Sequence, residues 1–181
     1  MTEPEVGKVL EALKRNCNGA RDWLMGLLTF RHGLRVSELI NLQWADVSFD
    51  QAELFVRRLK GSQDANHYLE RDELNGLRQL RREGPTNDRF IFVTERSGLF
   101  TCDGVLKMFK RAGEEAGLPF AIHPHMFRHA AGYKAANDGV ATRTVQHLLG
   151  HKNIAHSVRY SAISAKTLGR DPMEAILTFC P

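Results

Sequence analysis

One extended block, residues 47–69, interrupts a chain whose apolar residues otherwise recur at helical spacing, and this interruption limits the possible folds most. Within it, Val47-Ser48-Phe49, Leu54-Phe55-Val56 and His67-Tyr68-Leu69 read as short strands. Gly61 to Asn66, rich in Gly, Ser, Asp and Asn, reads as a hairpin loop. The block predicts a small antiparallel sheet of three strands. Before it, Val6, Leu10 and Leu13 mark a helix closed by Asn18-Gly19. Trp23, Leu24, Leu27, Leu28 and Phe30 mark a second helix, ending near His32-Gly33, and a short one follows over Ser37 to Leu42. After it, helices are expected at about 71–82, 101–116, 124–138, 142–149 and 153–160, with Phe90 to Val93 a short strand or extended piece. The fold class is therefore mainly α with a small antiparallel three-stranded β-sheet (α+β).

A chain of 181 residues suits one domain. No apolar run reaches the roughly 18 residues that span a bilayer, and the N-terminus lacks a signal-peptide pattern. Three cysteines, Cys17, Cys102 and Cys180, argue for a reducing compartment rather than a disulfide framework. The net charge of +4 permits nucleic-acid binding without demanding it. Its distribution is more informative. Basic residues cluster at Arg57-Arg58-Leu59-Lys60 and from Lys107 through Lys110 to Arg111, and are scattered from Arg128 through Arg143, Lys152 and Arg159.

The segment Ile122-His123-Pro124-His125-Met126-Phe127-Arg128-His129 carries the clearest chemistry. Pro124 suits the first turn of a helix, where its missing N–H costs nothing. His125 and Arg128 then lie one turn apart on one face, near a helix N-terminus that already favours anions. Downstream, Thr142 is a candidate N-cap, Val145, Leu148 and Leu149 a buried stripe, and Gly150 a C-terminal glycine. His151 follows at the helix end and Tyr160 nine residues later; its neighbours Arg159 and Ser161 hardly suit deep burial.

His125-x-x-Arg128, Leu148-Leu149-Gly150-His151 and Tyr160 together resemble the tyrosine site-specific recombinases of the phage integrase family. His32-Gly33-Leu34-Arg35-Val36-Ser37-Glu38-Leu39 looks like that family's first arginine box, and Arg57-Arg58-Leu59-Lys60-Gly61 is similar to its β-hairpin lysine. The phrase His123-Pro124-His125-Met126 is nearest the short recombinases that invert fimbrial promoter switches. The resemblance implies the catalytic-domain fold of that family, with 1–181 a single catalytic domain lacking the N-terminal DNA-clamping domain. It implies a tail over 161–181 that packs on a neighbour or on its own core.

It further implies catalysis by Arg35, Lys60, His125, Arg128, His151 and Tyr160, with Glu38 holding the Arg35 guanidinium. Arg57, Arg58, Lys107, Lys110, Arg111 and Lys152 are candidate DNA contacts. The implied reaction passes through a 3′-phosphotyrosyl link and needs no metal, ATP or other cofactor. The implied partner is double-stranded DNA with inverted-repeat sites, bound by a homotetramer on synapsed duplexes, with host DNA-bending accessory proteins and no membrane. The setting would be a prokaryotic cytoplasm, at the nucleoid.

Three other readings compete. His123, His125 and His129, with His147, His151 and His156, could ligate a metal, but no cysteine pair at zinc spacing and no His-Glu-x-x-His motif accompanies them. A non-catalytic DNA-binding accessory protein would not need Tyr160. Integration or excision of a mobile element shares all the chemistry of inversion, and residues alone separate them poorly.

Overall fold

The computed structural model describes residues 1–58, 63–84, 89–96, 98–151, 153–155, 157, 158 and 160. Its elements in chain order are α1 (Glu3–Lys14), α2 (Gly19–Arg31), α3 (Val36–Ile40), a 3₁₀ turn (Trp44–Asp46), β1 (Val47–Ser48), β2 (Glu53–Val56), β3 (Ala65–Tyr68), α4 (Arg71–Glu83), α5 (Cys102–Glu115), α6 (Pro124–Asn137) and α7 (Thr142–Leu149). Residues 155, 157, 158 and 160 are also helical. A mainly helical chain with one small sheet is thus what the periodicity predicts.

The three strands pair antiparallel in the order β1-β2-β3. Val47 faces Leu54, and Leu54 in turn faces His67. Alternation buries Leu54 and Val56 and leaves Phe55 exposed, as a strand with one solvated face requires. The same alternation puts His67, a titratable ring, on the buried face of β3.

Several boundaries differ from the sequence expectation. Asn18-Gly19 opens α2 instead of closing α1, with Asn18 as N-cap. The N-cap of α7 is Ala141 and not Thr142, which is already helical. Phe90 to Val93 takes the second form expected of it, an extended piece and not a strand. It makes two isolated antiparallel bridges, Gln43 with Phe90 and Val93 with Leu99. The tail over 161–181 lies outside the described residues.

The main core gathers Val6, Val9 and Leu13 of α1, Leu24, Met25 and Leu28 of α2, Val105 and Phe109 of α5, and Phe127 of α6. Phe109 meets Phe127 edge to face at 4.9 Å, fastening α5 to α6. Each such side chain contributes about 1.5–3 kcal/mol by leaving water. A second, smaller cluster joins Ala135, Val145, Leu149 and Tyr160. The last helical residues are therefore seated on α6 and α7. Among the described residues no helix is long and apolar enough to cross a membrane.

Candidate active site

Arg35 is the N-cap of α3, and Glu38, one turn on, accepts its backbone N–H at 2.8 Å. The same carboxylate takes the Arg35 guanidinium, Nη1 to Oε1, at 2.6 Å. Glu38 therefore holds Arg35 by both main chain and side chain, as the one-turn spacing predicts. Its second oxygen does more: Oε2 accepts Arg58 Nη1 at 2.6 Å. Neither Glu38 nor Arg58 exposes any of its side chain, whereas Arg35 exposes 30%.

Arg58 is thus a buried bolt and not a surface cation, which corrects its assignment as a DNA contact. It lies just beyond β2, where extended backbone turns successive side chains to opposite faces. Arg57 points outward and pairs with Asp46 at 2.5 Å with half its side chain exposed. Arg58 points inward, donating to the carbonyls of His32 and Leu148 and meeting His67 Nε2 at 3.4 Å. Burial, then His32 and Arg58, push the His67 imidazole down to about 3, so it stays neutral. His32 in turn meets the fully buried Glu73 at 3.1 Å.

Arg128 rises from the start of the second turn of α6, which begins at Pro124 as expected. Its guanidinium is buried and donates to the carbonyls of Gly33 and Leu149. These residues flank the two other functional segments, one just before Arg35 and one just before His151. Both turns need glycine. Gly33 has φ +57°, and a Cβ there would meet Leu149 Cδ2 at 2.4 Å; Gly150 has φ +59° and caps α7 in the left-handed region. Burial, then Arg35 and Arg58, push Arg128 down to about 10. His125 is held below the ordinary imidazole value by partial burial first, then by Arg128, His123 and Arg35.

His151 leaves the end of α7 with its backbone N–H on Gln146 O at 3.0 Å. Its Nδ1 lies 3.0 Å from Ser157 Oγ. The Tyr160 ring stacks on it at 6.3 Å with planes 9° apart. Tyr160 is only 3% exposed, which overturns the expectation from its polar sequence neighbours. The physical reason is Gly132, which lets the ring lie against α6: a Cβ there would sit 2.8 Å from two ring carbons. Tyr133 meets the ring edge to face at 5.0 Å, and His129 Nδ1 is 2.9 Å from the phenolic oxygen.

Arg35, Glu38, His125, Arg128, His151 and Tyr160 are therefore parts of one neighbourhood. Lys60 and Lys152 lie outside the described residues. Lys107, Lys110 and Arg111 are exposed on α5, where Lys107 pairs with Asp103 at 2.7 Å. Arg58 as an internal tie, Gly132 and Ser157 were not legible in the sequence, and His129 stood there only as a candidate metal ligand. His129 had a signal: it sits next to Arg128 and one turn beyond His125. Chemically, the neighbourhood sets three guanidinium groups around one buried carboxylate, with a phenol close by. Such a concentration of positive charge, two of its three guanidiniums buried, favours an oxyanion with several oxygens.

Comparison with known proteins agrees with this geometry. The sequence model of the phage integrase family matches residues 1–167. The type 1 fimbriae regulatory protein FimE of Escherichia coli (strain K12) is 36% identical over 170 residues, spanning 91% of this chain and 86% of that protein. The type 1 fimbriae regulatory protein FimB of the same strain is 32% identical over 169 residues, spanning 91% and 84%. Among solved structures, the crystal structure of XerA recombinase matches with a TM-score of 0.80 at 25% identity, over 93% of this chain and 61% of that one. This chain therefore spans about three-fifths of the XerA chain's length.

Proposed function

Because this chain belongs to the phage integrase family, we propose that it is a site-specific DNA recombinase that inverts a segment between inverted repeats. The observation that carries the reading is the cluster of Arg35, Arg58 and Arg128 around the buried carboxylate of Glu38, beside the Tyr160 phenol. A phosphodiester is the DNA group that supplies the missing negative charge. Arg35 and Arg128 each present a planar fork to its non-bridging oxygens. His151, held by Ser157, donates a further hydrogen bond to the phosphate. His125, on the Arg128 face of α6, contributes another polar contact.

Tyr160 attacks phosphorus, giving a 3′-phosphotyrosyl ester and a free 5′-hydroxyl. Lys60 is the assigned acid for the departing 5′-oxygen. The ester keeps the energy of the broken bond, so a second strand's 5′-hydroxyl reverses the step without ATP. A phenol with an ordinary pKa near 10 needs such a cationic pocket to react at neutral pH. Removing either Arg35 or Arg128 should slow cleavage roughly 100- to 1,000-fold. Arg57, Lys107, Lys110, Arg111 and Lys152 are assigned to the DNA backbone.

Similarity to FimE and FimB over nine-tenths of the chain favours inversion of a switch over integration or excision of a mobile element. Exchange between two duplexes takes four nucleophiles, so the working assembly is a homotetramer on synapsed DNA, aided by DNA-bending proteins. The test is a plasmid carrying two repeats of the source genome in either orientation. Inversion of the intervening segment from inverted repeats is expected. Excision from direct repeats with no inversion would move the reading to mobile-element recombination, and no exchange from either would overturn it.

A further inference from the structure

We propose that His129 is a catalytic residue, the base that takes the phenolic proton of Tyr160 as the phenol attacks. The inference rests on the reading of Tyr160 as nucleophile and gives the phenolic proton a destination. The imidazole Nδ1 of His129 is 2.9 Å from the phenolic oxygen. The ring centroids are 6.1 Å apart with planes at 45°, so the contact is through the edge nitrogen and not by stacking. A candidate base has to lie within about 2.6–3.2 Å of the proton it removes.

The phenol is fixed for this transfer on three sides. His151 stacks on one face, Tyr133 meets the ring at its edge, and Gly132 admits the ring against the α6 backbone. Tyr160 itself is almost wholly buried, whereas His129 is exposed. The proton therefore passes from a buried oxygen to an imidazole that reaches water. Arg128 is the preceding residue of α6, and the Tyr160 phenol reaches His129 from the last helical residues.

The step balances without an external reagent. The O–H bond of Tyr160 breaks and its proton goes to Nδ1 of His129, which requires the Nε2–H tautomer. The phenolate oxygen forms the P–O bond, the phosphorus–5′-oxygen bond breaks, and the departing 5′-oxygen takes a proton from Lys60, the acid assigned above. On rejoining, the imidazolium returns that proton to the departing phenolate.

The test uses the full chain and a nicked duplex carrying the sequence that Tyr160→Phe retains from sheared genomic DNA of the source. Covalent adduct is followed in single turnover on a denaturing gel. His129→Ala is expected to form adduct roughly 100-fold more slowly, within the usual range for loss of a general base. Free imidazole should recover much of that rate, rising with its unprotonated fraction. His129→Asn keeps a polar group near Nδ1 but cannot take the proton, and it should remain slow while binding the duplex as wild type does. A Tyr160-linked adduct that forms at the wild-type rate in His129→Ala, or slowly without response to imidazole, overturns the base assignment alone. No Tyr160-linked adduct from the wild type overturns the recombinase reading, and this inference with it.

Discussion

Glu38→Gln removes one charge from the centre of the site while keeping its shape. The carboxylate accepts from three N–H groups: Arg35 Nη1 at 2.6 Å, the Arg35 backbone at 2.8 Å and Arg58 Nη1 at 2.6 Å. The Arg35 arm is partly exposed, so its loss is worth under about 1 kcal/mol. The Arg58 arm is different, because both side chains are fully buried. Leaving one charge of a buried pair uncompensated costs about 3–5 kcal/mol. The carbonyls of His32 and Leu148 still accept from Arg58 in the variant. They place the expected loss near the low end, about 3 kcal/mol.

Urea unfolding at neutral pH reads this as a lower midpoint at unchanged slope. The double variant Glu38→Leu with Arg58→Met removes both buried charges and should be more stable than Glu38→Gln alone. It should still cleave DNA poorly, because Arg35 has lost its anchor. A Glu38→Gln protein within about 0.5 kcal/mol of wild type, or a double variant less stable than the single, would refute the claim that Glu38 and Arg58 form a compensated buried pair.

Gly132→Ala gains about 1 kcal/mol of helix propensity but places a Cβ 2.8 Å from the Tyr160 ring. Stability should change little while adduct formation falls roughly 100-fold; an unchanged rate would count against the ring position described above. Gly150→Ala puts a side chain at φ +59° and 2.9 Å from Arg58 Nε. It should cost about 1–2 kcal/mol in urea unfolding, and a neutral result would contradict the tight cap before His151. His67 is depressed from 6.5 to about 3 when folded, so below pH 6.5 the unfolded chain binds a proton that the native one does not. Stability should therefore fall between pH 6.5 and 3 by up to about 1.4 kcal/mol per pH unit. His67→Asn should show a shallower slope there, and an equal slope would assign the loss to other groups.

Local periodicity made most of the architecture legible. The alternation in Leu54-Phe55-Val56, the proline that opens α6 and the glycine that closes α7 each act within a few residues of themselves. The Arg35–Glu38 pair was legible for the same reason, being one helical turn long. What the sequence hid depends on distant packing. Arg57 and Arg58 look equivalent in a basic run, yet extended backbone sends one outward and one in toward Glu38, 20 residues earlier. Residues adjacent in a helix point about 100° apart, so polar neighbours do not report burial of the residue between them. Tyr160 is buried by Gly132, on another helix. The buried His67 and His32 pair likewise joins β3 to the end of α2.

The chemistry of the cut DNA end decides most directly whether Tyr160 is the nucleophile. A nicked suicide duplex labelled on either side of the cut, digested and sequenced by mass spectrometry without added metal, reads it in one experiment. A 3′-phosphate esterified to Tyr160 is expected, with a 5′-hydroxyl that a kinase labels without prior phosphatase treatment. Protein joined to a 5′-phosphate, a linkage at any other residue, or a free 3′-hydroxyl that appears only with divalent metal would contradict it.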